Sequence, residues 1–186
     1  MLPPPAREVV EDEDVESFPR QLLRRVGPDV AGAAGADPDG EMGETHNPET
    51  HLVPNILKSL LGAAPRLSVF GGDFPTPDGT AVRDYIHVTD LAAAHVLAVK
   101  ALLQGGTSVA VNLGTNTGHS VLEVIREAEA VTGQSVPYDI RPRRKGDVAV
   151  LLASKGKAEK LLGWRPALSS LETIIDTAWS WHRKNG

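Results

Sequence analysis

The chain has 186 residues, of which 41% are hydrophobic and 23% charged, with 14 prolines, 18 glycines and a formal net charge of -5. This size suits one domain with a substantial tail, and the composition is that of a globular protein with many turns. The lack of cysteine excludes a disulfide scaffold, a cysteine zinc site and a thiol nucleophile, and the net charge gives no indication of a nucleic-acid partner.

Charge is divided unevenly along the chain. Residues 1–50 carry 12 acidic and 4 basic side chains, a net charge of -8, whereas residues 51–186 carry 12 acidic and 15 basic ones, a net charge of +3. We therefore predict an acidic, proline-containing and largely disordered leader over residues 1–29, and a folded domain over residues 30–186. No secretory signal and no run of about 18 apolar residues is found, so we expect a cytoplasmic protein without a membrane partner.

The first part of the chain is predicted to hold little regular structure. A short helix over residues 15–26 would end before Gly27 and Pro28. Residues 31–48 contain Pro38-Asp39-Gly40 and Asn47-Pro48, so this segment is predicted to form turns.

From residue 52 onward, the apolar pattern alternates between the periods of helices and strands. Helices are predicted over residues 52–61, 89–104, 121–133, 154–162 and from 169 onward, and strands over residues 67–70, 85–88, 108–113, 136–141 and 148–153. Thr89 and Ser154 are the expected N-caps of two helices, and Ser120-x-x-Glu123 has the pattern of a capping box. This alternation indicates an α/β or α+β layered fold with short mixed strands and about five helices.

The last helix has the clearest amphipathic pattern. Ser169-x-x-Glu172 is expected to open this helix. The side chains predicted to face inward repeat at helical spacing, and they are Leu171, Ile174, Ile175, Ala178 and Trp181.

Three stretches are more specific than periodicity: residues 34–44 (AGADPDGEMGE), 70–88 (FGGDFPTPDGTAVRDYIHV) and 142–147 (PRRKGD). In this order and spacing, and followed by Leu161-Leu162-Gly163-Trp164, the chain resembles UDP-glucose 4-epimerases of the extended short-chain dehydrogenase/reductase superfamily. The resemblance runs from near Val30 to the C-terminus. It implies the C-terminal, UDP-sugar-binding part of that α/β fold, without the glycine-rich Rossmann half that holds NAD.

The resemblance implies an isomerase of galactose metabolism and a set of substrate-binding residues. Arg83 and Arg144 match the family's diphosphate-binding arginines, and a guanidinium group suits phosphate oxygens. Asp147 matches a position that contacts the ribose, and Leu52 and Phe70 match positions that line the uracil pocket. The residues alone also allow a salt bridge for Arg83, a solvated loop around Arg144, a cap role for Asp147, and ordinary core positions for Leu52 and Phe70.

The histidines give no indication of a metal site. We interpret His87, which follows a strand-like Tyr-Ile, as a structural residue. The other histidines show neither His-Glu-x-x-His nor a similar spacing, and they are His46, His51, His95, His119 and His182. No metal ligand is therefore predicted.

Two motifs on which the family's reaction depends are missing from this sequence. No Gly-x-x-Gly-x-x-Gly turn is present to hold the NAD pyrophosphate. Tyr85 and Tyr138 are followed four positions later by Thr89 and Pro142, so no Tyr-x-x-x-Lys can supply the base. We therefore expect no catalytic and no NAD-binding residue in this chain.

Two further positions depart from the family. Gly32 stands where the family has an asparagine that contacts the sugar nucleotide, and Leu151 stands where some members have a sugar-facing tyrosine. The composition also changes abruptly near Val30, which suggests a truncation, a frameshift or a fusion remnant.

Three interpretations of function stay open at this point. The first is an epimerase-like chain that is inactive alone. The resemblance places it in an enzyme family, but the two motifs needed for the reaction are missing, so the sequence leaves open whether the chain is an enzyme. The second is a non-catalytic UDP-sugar-binding module that needs a separate Rossmann-containing chain. The third is a degenerate fragment without function.

Overall fold

The computed structural model describes residues 7–10 and 31–185. Within these residues the helices are Leu52–Leu60 (α1), Val88–Leu103 (α2), Val121–Thr132 (α3), Gly156–Leu162 (α4) and Leu171–Asn185 (α5). The strands are Arg7–Val10 (β1), Ala31–Ala34 (β2), Leu67–Phe70 (β3), Val82–His87 (β4), Gly118–Ser120 (β5), Tyr138–Arg141 (β6) and Val150–Ala153 (β7). The α/β class is confirmed. The helix predicted over residues 15–26 lies outside the described residues.

The described strands form two sheets. In the larger sheet β1, β7, β4 and β2 lie side by side and run parallel, and β5 pairs antiparallel with β4. In the smaller sheet β3 pairs in parallel with β6, which places Phe70 opposite Arg141. Because parallel neighbours need crossover connections, the helices between the strands cover the sheets.

The main hydrophobic core joins α1, α3 and α5 to β3. Leu57, Val124, Ile174 and Ile175 are completely buried in this core. Burial of a side chain of this size contributes about 1.5–3 kcal/mol, so these helices are held to the smaller sheet chiefly by the hydrophobic effect. A second cluster, built around Trp164, packs α2 and α4 against β4.

Three predictions of strands or turns were wrong or incomplete. Residues 31–34, predicted as turns, form β2, because their backbone pairs with β4 although the sequence Ala-Gly-Ala-Ala has little strand propensity. Arg7–Val10 forms a strand on β7 that the sequence did not indicate for the leader. The strand predicted over residues 108–113 is absent from the described residues, where Val111 and Leu113 instead pack against the Trp164 cluster from irregular backbone.

The predicted capping box is confirmed. The Ser120 hydroxyl accepts a hydrogen bond from the Glu123 backbone amide at 3.0 Å, and a Glu123 carboxylate oxygen accepts one from the Ser120 amide at 2.7 Å. The Ser-x-x-Glu pattern predicts this structure well because Ser120 and Glu123 lie within one turn of the same helix.

The other predicted caps were displaced by a residue or two. Helix α2 begins at Val88 with His87 as its N-cap rather than Thr89, and α4 begins at Gly156 with Lys155 rather than Ser154 as its N-cap. At α5 it is Ser170, not Ser169, whose hydroxyl accepts a bond from the Thr173 amide, at 3.1 Å.

The inner face of α5 was predicted correctly except at its C-terminal end. Trp179 and His182 are buried, whereas Trp181 is only partly buried. Among the described residues, no helix combines the length and the apolarity that crossing a bilayer requires.

Candidate functional site

Two buried polar side chains of the motif at residues 82–90 serve the scaffold. Asp84 is fully buried and accepts hydrogen bonds from the Thr115 amide, the Thr115 hydroxyl and, at 3.4 Å, the Ala153 amide. Burial raises the pKa of the Asp84 carboxyl, and these hydrogen bonds oppose that rise only in part. Asp84 therefore ties β4 to β7 and to the loop before β5.

His87 is the second buried group of this motif. Its Nδ1 accepts a hydrogen bond from the Thr89 amide at 3.1 Å, so Nε2 carries the proton and donates to the Thr177 hydroxyl, also at 3.1 Å. Burial lowers the pKa of His87, which keeps the ring neutral. These contacts support the interpretation of His87 as a structural residue.

Arg83, the third polar residue of this motif, uses only one of its three guanidinium nitrogens in hydrogen bonds with the described residues. Its Nη1 donates to the backbone carbonyls of Val82, at 2.8 Å, and Val148, at 3.0 Å. Its Nε and Nη2 groups have no acceptor among the described residues. No salt bridge joins Arg83 to Asp84, whose carboxylate instead accepts hydrogen bonds from Thr115 and Ala153.

The loop that follows β6 brings Arg144 and Asp147 together. Arg144 Nε donates to Asp147 Oδ2 at 3.1 Å, and the Asp147 amide donates to the Arg144 carbonyl at 3.3 Å across a turn. Gly146 has a φ of 93° in this turn, a conformation that glycine adopts without steric cost. Asp147 thereby takes a place beside the guanidinium group.

Both arginines of this loop stack on phenylalanine rings. The Arg144 Cζ lies 5.3 Å from the centroid of the Phe70 ring, and Phe70 is 41% exposed at the end of β3. The Arg143 Cζ lies 4.1 Å from the centroid of the buried Phe74, and Arg143 Nε donates to Asp73 Oδ1 at 2.6 Å. Arg143 is thus held by protein partners, and the side chain of Arg144 is 60% exposed to solvent.

Four of the five residues predicted for the site form one connected group. Phe70 and Asp147 each contact Arg144, and Arg83 is linked to them through the carbonyl of Val148, the residue after Asp147. Leu52, the fifth residue, is the first residue of α1 and is partly buried against the main core, and among the described residues no hydrogen bond or ring contact links it to the group.

The described glycines that precede α1 do not fit the pyrophosphate of a dinucleotide. Gly35 follows β2 with a φ of 90°, and no helix begins among the described residues until α1. A Cβ atom on Gly35 would lie 2.8 Å from the His87 ring. This glycine therefore allows close packing against His87, and among the described residues before α1 it is not followed by a helix N-terminus of the kind that holds a pyrophosphate.

One cluster was missed by the sequence analysis, which predicted no metal ligand from the spacing of the histidines. The fold places one potential ligand atom from each of Glu44, His46 and His51 within 4.8 Å of one another. The loop between β2 and α1 creates this proximity, so regular helical or hairpin spacing could not have indicated it.

Comparisons with known proteins agree with this architecture. Residues 39–177 match the family model described as GDP-mannose 4,6 dehydratase. A UDP-glucose 4-epimerase from Halalkalibacterium halodurans is 51% identical over 153 residues, which are 82% of this chain and 46% of that protein. One from Streptococcus mutans is 51% identical over 149 residues, covering 80% of this chain and 45% of its own length.

Solved structures show the same relationship. The UDP-glucose 4-epimerase from Brucella ovis, in complex with NAD, superposes with a TM-score of 0.77 at 51% identity, over 79% of this chain and 45% of that one. The Bifidobacterium longum enzyme, in complex with NAD+ and UDP, has a TM-score of 0.76 at 38% identity, over 89% and 52% of the two chains. The chain spans about half the length of the relatives that it matches. It belongs to the family described as GDP-mannose 4,6 dehydratase, within which it is similar to the C-terminal part of UDP-glucose 4-epimerases.

Proposed function

We propose that this chain is the UDP-sugar-binding part of a UDP-glucose 4-epimerase-like protein, which interconverts UDP-galactose and UDP-glucose in galactose metabolism. The arrangement of Arg83, Arg144 and Asp147 around one loop carries the proposal. The relatives' names and the complex of the Bifidobacterium longum enzyme with UDP support the choice of ligand.

The two arginines suit a diphosphate in different ways. Arg83 is anchored by two backbone carbonyls, so its remaining N–H groups are oriented before a ligand arrives. Arg144 is exposed and uses Nε to contact Asp147, which leaves both terminal nitrogens for phosphate oxygens. Together they offer two positive charges to a ligand that carries two negative ones.

The other three residues receive the nucleoside in this proposal. Asp147 accepts hydrogen bonds from ribose hydroxyls, because an ionised carboxylate only accepts. The exposed ring of Phe70 offers an apolar face to the uracil base, and Leu52 supplies an apolar wall.

The chain is proposed to bind the sugar nucleotide without turning it over by itself. The Tyr-x-x-x-Lys pair is missing from its sequence, and the described glycines do not form a cradle for NAD. NAD would supply the hydride transfer at C4 in the family. A separate chain with a Rossmann domain is the partner that would bring this cofactor.

Helix α2 offers a surface for such a partner. Val96, Val99 and Leu103 lie on one face at helical spacing, and each is more than half exposed. An exposed aliphatic stripe of this kind is typical of an interaction surface. This observation favours the module with a Rossmann partner over a chain that acts alone.

Binding of UDP tests the proposed site. We expect calorimetry to show one UDP per chain, with binding about 10- to 100-fold weaker in Arg144→Ala and Arg83→Ala, because each loses charge-assisted hydrogen bonds to phosphate. Arg165→Ala is the matched control, since Arg165 is an exposed arginine paired with Glu159 on α4. The proposal would be contradicted if the unmodified chain gave no heat with UDP, or if both variants bound UDP as tightly as the unmodified chain does. A non-cooperative thermal transition without UDP binding would favour the degenerate fragment.

Turnover is tested separately. The full chain is incubated with UDP-galactose and added NAD, and we expect no UDP-glucose above the level of a protein-free blank, because the sequence contains neither the Tyr-x-x-x-Lys pair nor a Gly-x-x-Gly-x-x-Gly turn. Formation of UDP-glucose would contradict the proposed lack of turnover, but it would not contradict the proposed UDP-binding site.

A further inference from the structure

The cluster of Glu44, His46 and His51 lies outside the residues proposed for UDP. Its ligand atoms lie within 4.8 Å of one another, and the rings of His46 and His51 have centroids 5.0 Å apart. Two imidazoles and one carboxylate form a donor set that suits zinc and its neighbours among the divalent transition metals.

His51 is held in an orientation suited to a metal ligand. As the N-cap residue of α1 it makes no side-chain cap bond. Its Nδ1 instead lies 2.9 Å from Glu49 Oε1, and because a carboxylate only accepts, Nδ1 carries the proton. Nε2 is then left with a free lone pair, which is how a carboxylate fixes the tautomer of a zinc-binding histidine.

Glu49 is itself firmly held. Its side chain is only 6% exposed, and Oε1 also accepts hydrogen bonds from the Thr50 and His51 amides at 2.9 and 3.0 Å. Lys58 Nζ contacts the other oxygen at 3.3 Å. The position of the supporting carboxylate is thus fixed by two backbone amides and the Lys58 ammonium group, without any contribution from a metal ion.

The other two groups can move to complete a coordination shell. Ligands at about 2.1 Å from zinc in a tetrahedral arrangement lie about 3.4 Å apart, so the cluster must contract slightly. The side chains of His46 and Glu44 are 47% and 44% exposed, which leaves them room to rotate. The contact between His46 Nδ1 and Glu44 Oε1, at 3.3 Å, already has the required separation.

We propose that Glu44, His46 and His51 bind one divalent zinc-like cation, with Glu49 as the supporting carboxylate of His51 and an open position for water. Three protein ligands with a fourth position for solvent are a normal arrangement for zinc. The proposal does not depend on the proposed UDP site.

The test uses the full chain without a histidine tag. We expect one Zn²⁺ per chain by calorimetry, and visible absorption of bound Co²⁺ at tetrahedral intensity. Glu44→Gln and His46→Gln should abolish the Co²⁺ absorption and the stoichiometric binding of Zn²⁺. His95→Gln, at an exposed histidine of α2, should leave both unchanged.

Glu49→Gln provides a second, independent readout. Loss of a supporting carboxylate typically weakens zinc binding about 10- to 100-fold while the ligands remain, so this variant should retain the Co²⁺ spectrum at higher metal concentration. Circular dichroism of each variant confirms its fold. The proposal is overturned if the unmodified chain binds no Zn²⁺, or if Glu44→Gln and His46→Gln bind it as well as the unmodified chain.

Discussion

Asp90→Ala is expected to lower the free energy of unfolding by about 3–5 kcal/mol, the largest effect among the substitutions considered. Asp90 lies buried in the first turn of α2. Its carboxylate accepts hydrogen bonds from the amides of Ala167 and Leu168, at 2.9 and 2.8 Å, and from the Ser169 hydroxyl at 2.6 Å. Alanine would leave three donors without an acceptor.

The expected loss is large because the bonds join distant parts of the chain. Asp90 connects α2 to the segment that leads into α5, and its own carbonyl accepts a hydrogen bond from Trp164 Nε1 at 2.8 Å. A buried donor without a partner costs about 1–3 kcal/mol. Asp90→Ala leaves three such donors, and local relaxation recovers only part of this cost, which gives the expected loss of about 3–5 kcal/mol.

Urea unfolding followed by circular dichroism provides the measurement. Asp176→Ala is the matched control, because Asp176 lies exposed on α5 and surface substitutions usually change stability by less than about 0.5 kcal/mol. Asp90→Asn should fall between the two, since an amide retains one acceptor. Equal stability of Asp90→Ala and Asp176→Ala would show that this network does not hold the two segments together.

Gly35→Ala is expected to lower the free energy of unfolding by about 2–4 kcal/mol, from two separate costs. Gly35 has a φ of 90°, which an L-residue adopts only with strain. An added Cβ would also lie 2.8 Å from the His87 ring and 3.1 Å from the Thr177 hydroxyl. Both contacts involve a hydrogen-bonded pair at the centre of the fold, which cannot shift freely.

A second glycine separates these two costs. Gly133 ends α3 with a φ of 68°, and no atom lies within 4 Å of an added Cβ. Gly133→Ala should therefore show only the conformational cost, about 1 kcal/mol in the same urea experiment. If Gly35→Ala is no worse than Gly133→Ala, close packing against His87 is not the reason for glycine at position 35.

Local signals in the sequence predicted much of the fold. The strand at residues 67–70, helix α1 and the capping box of Ser120 and Glu123 were all predicted within about a residue, because each depends on neighbours a turn or two away. The motifs around Arg83 and Arg144 indicated the family, which the comparisons confirm.

For the candidate site, the sequence indicated the residues but not their connections. It named Arg83 as a candidate, yet the carbonyl of Val148 that anchors this arginine lies 65 residues further along the chain. His87 was correctly interpreted as structural from its type and position. Its role as the N-cap of α2, and its bond to Thr177, were visible only in the fold.

What the sequence by itself determined about this protein is its class, its family and the elements whose signals are local. The tertiary structure alone decided that Ala31–Ala34 is a strand and that residues 108–113 are not, because a strand exists only where another strand accepts its hydrogen bonds. It also decided that Glu44, His46 and His51 meet, since an irregular loop brings them together without any repeating spacing.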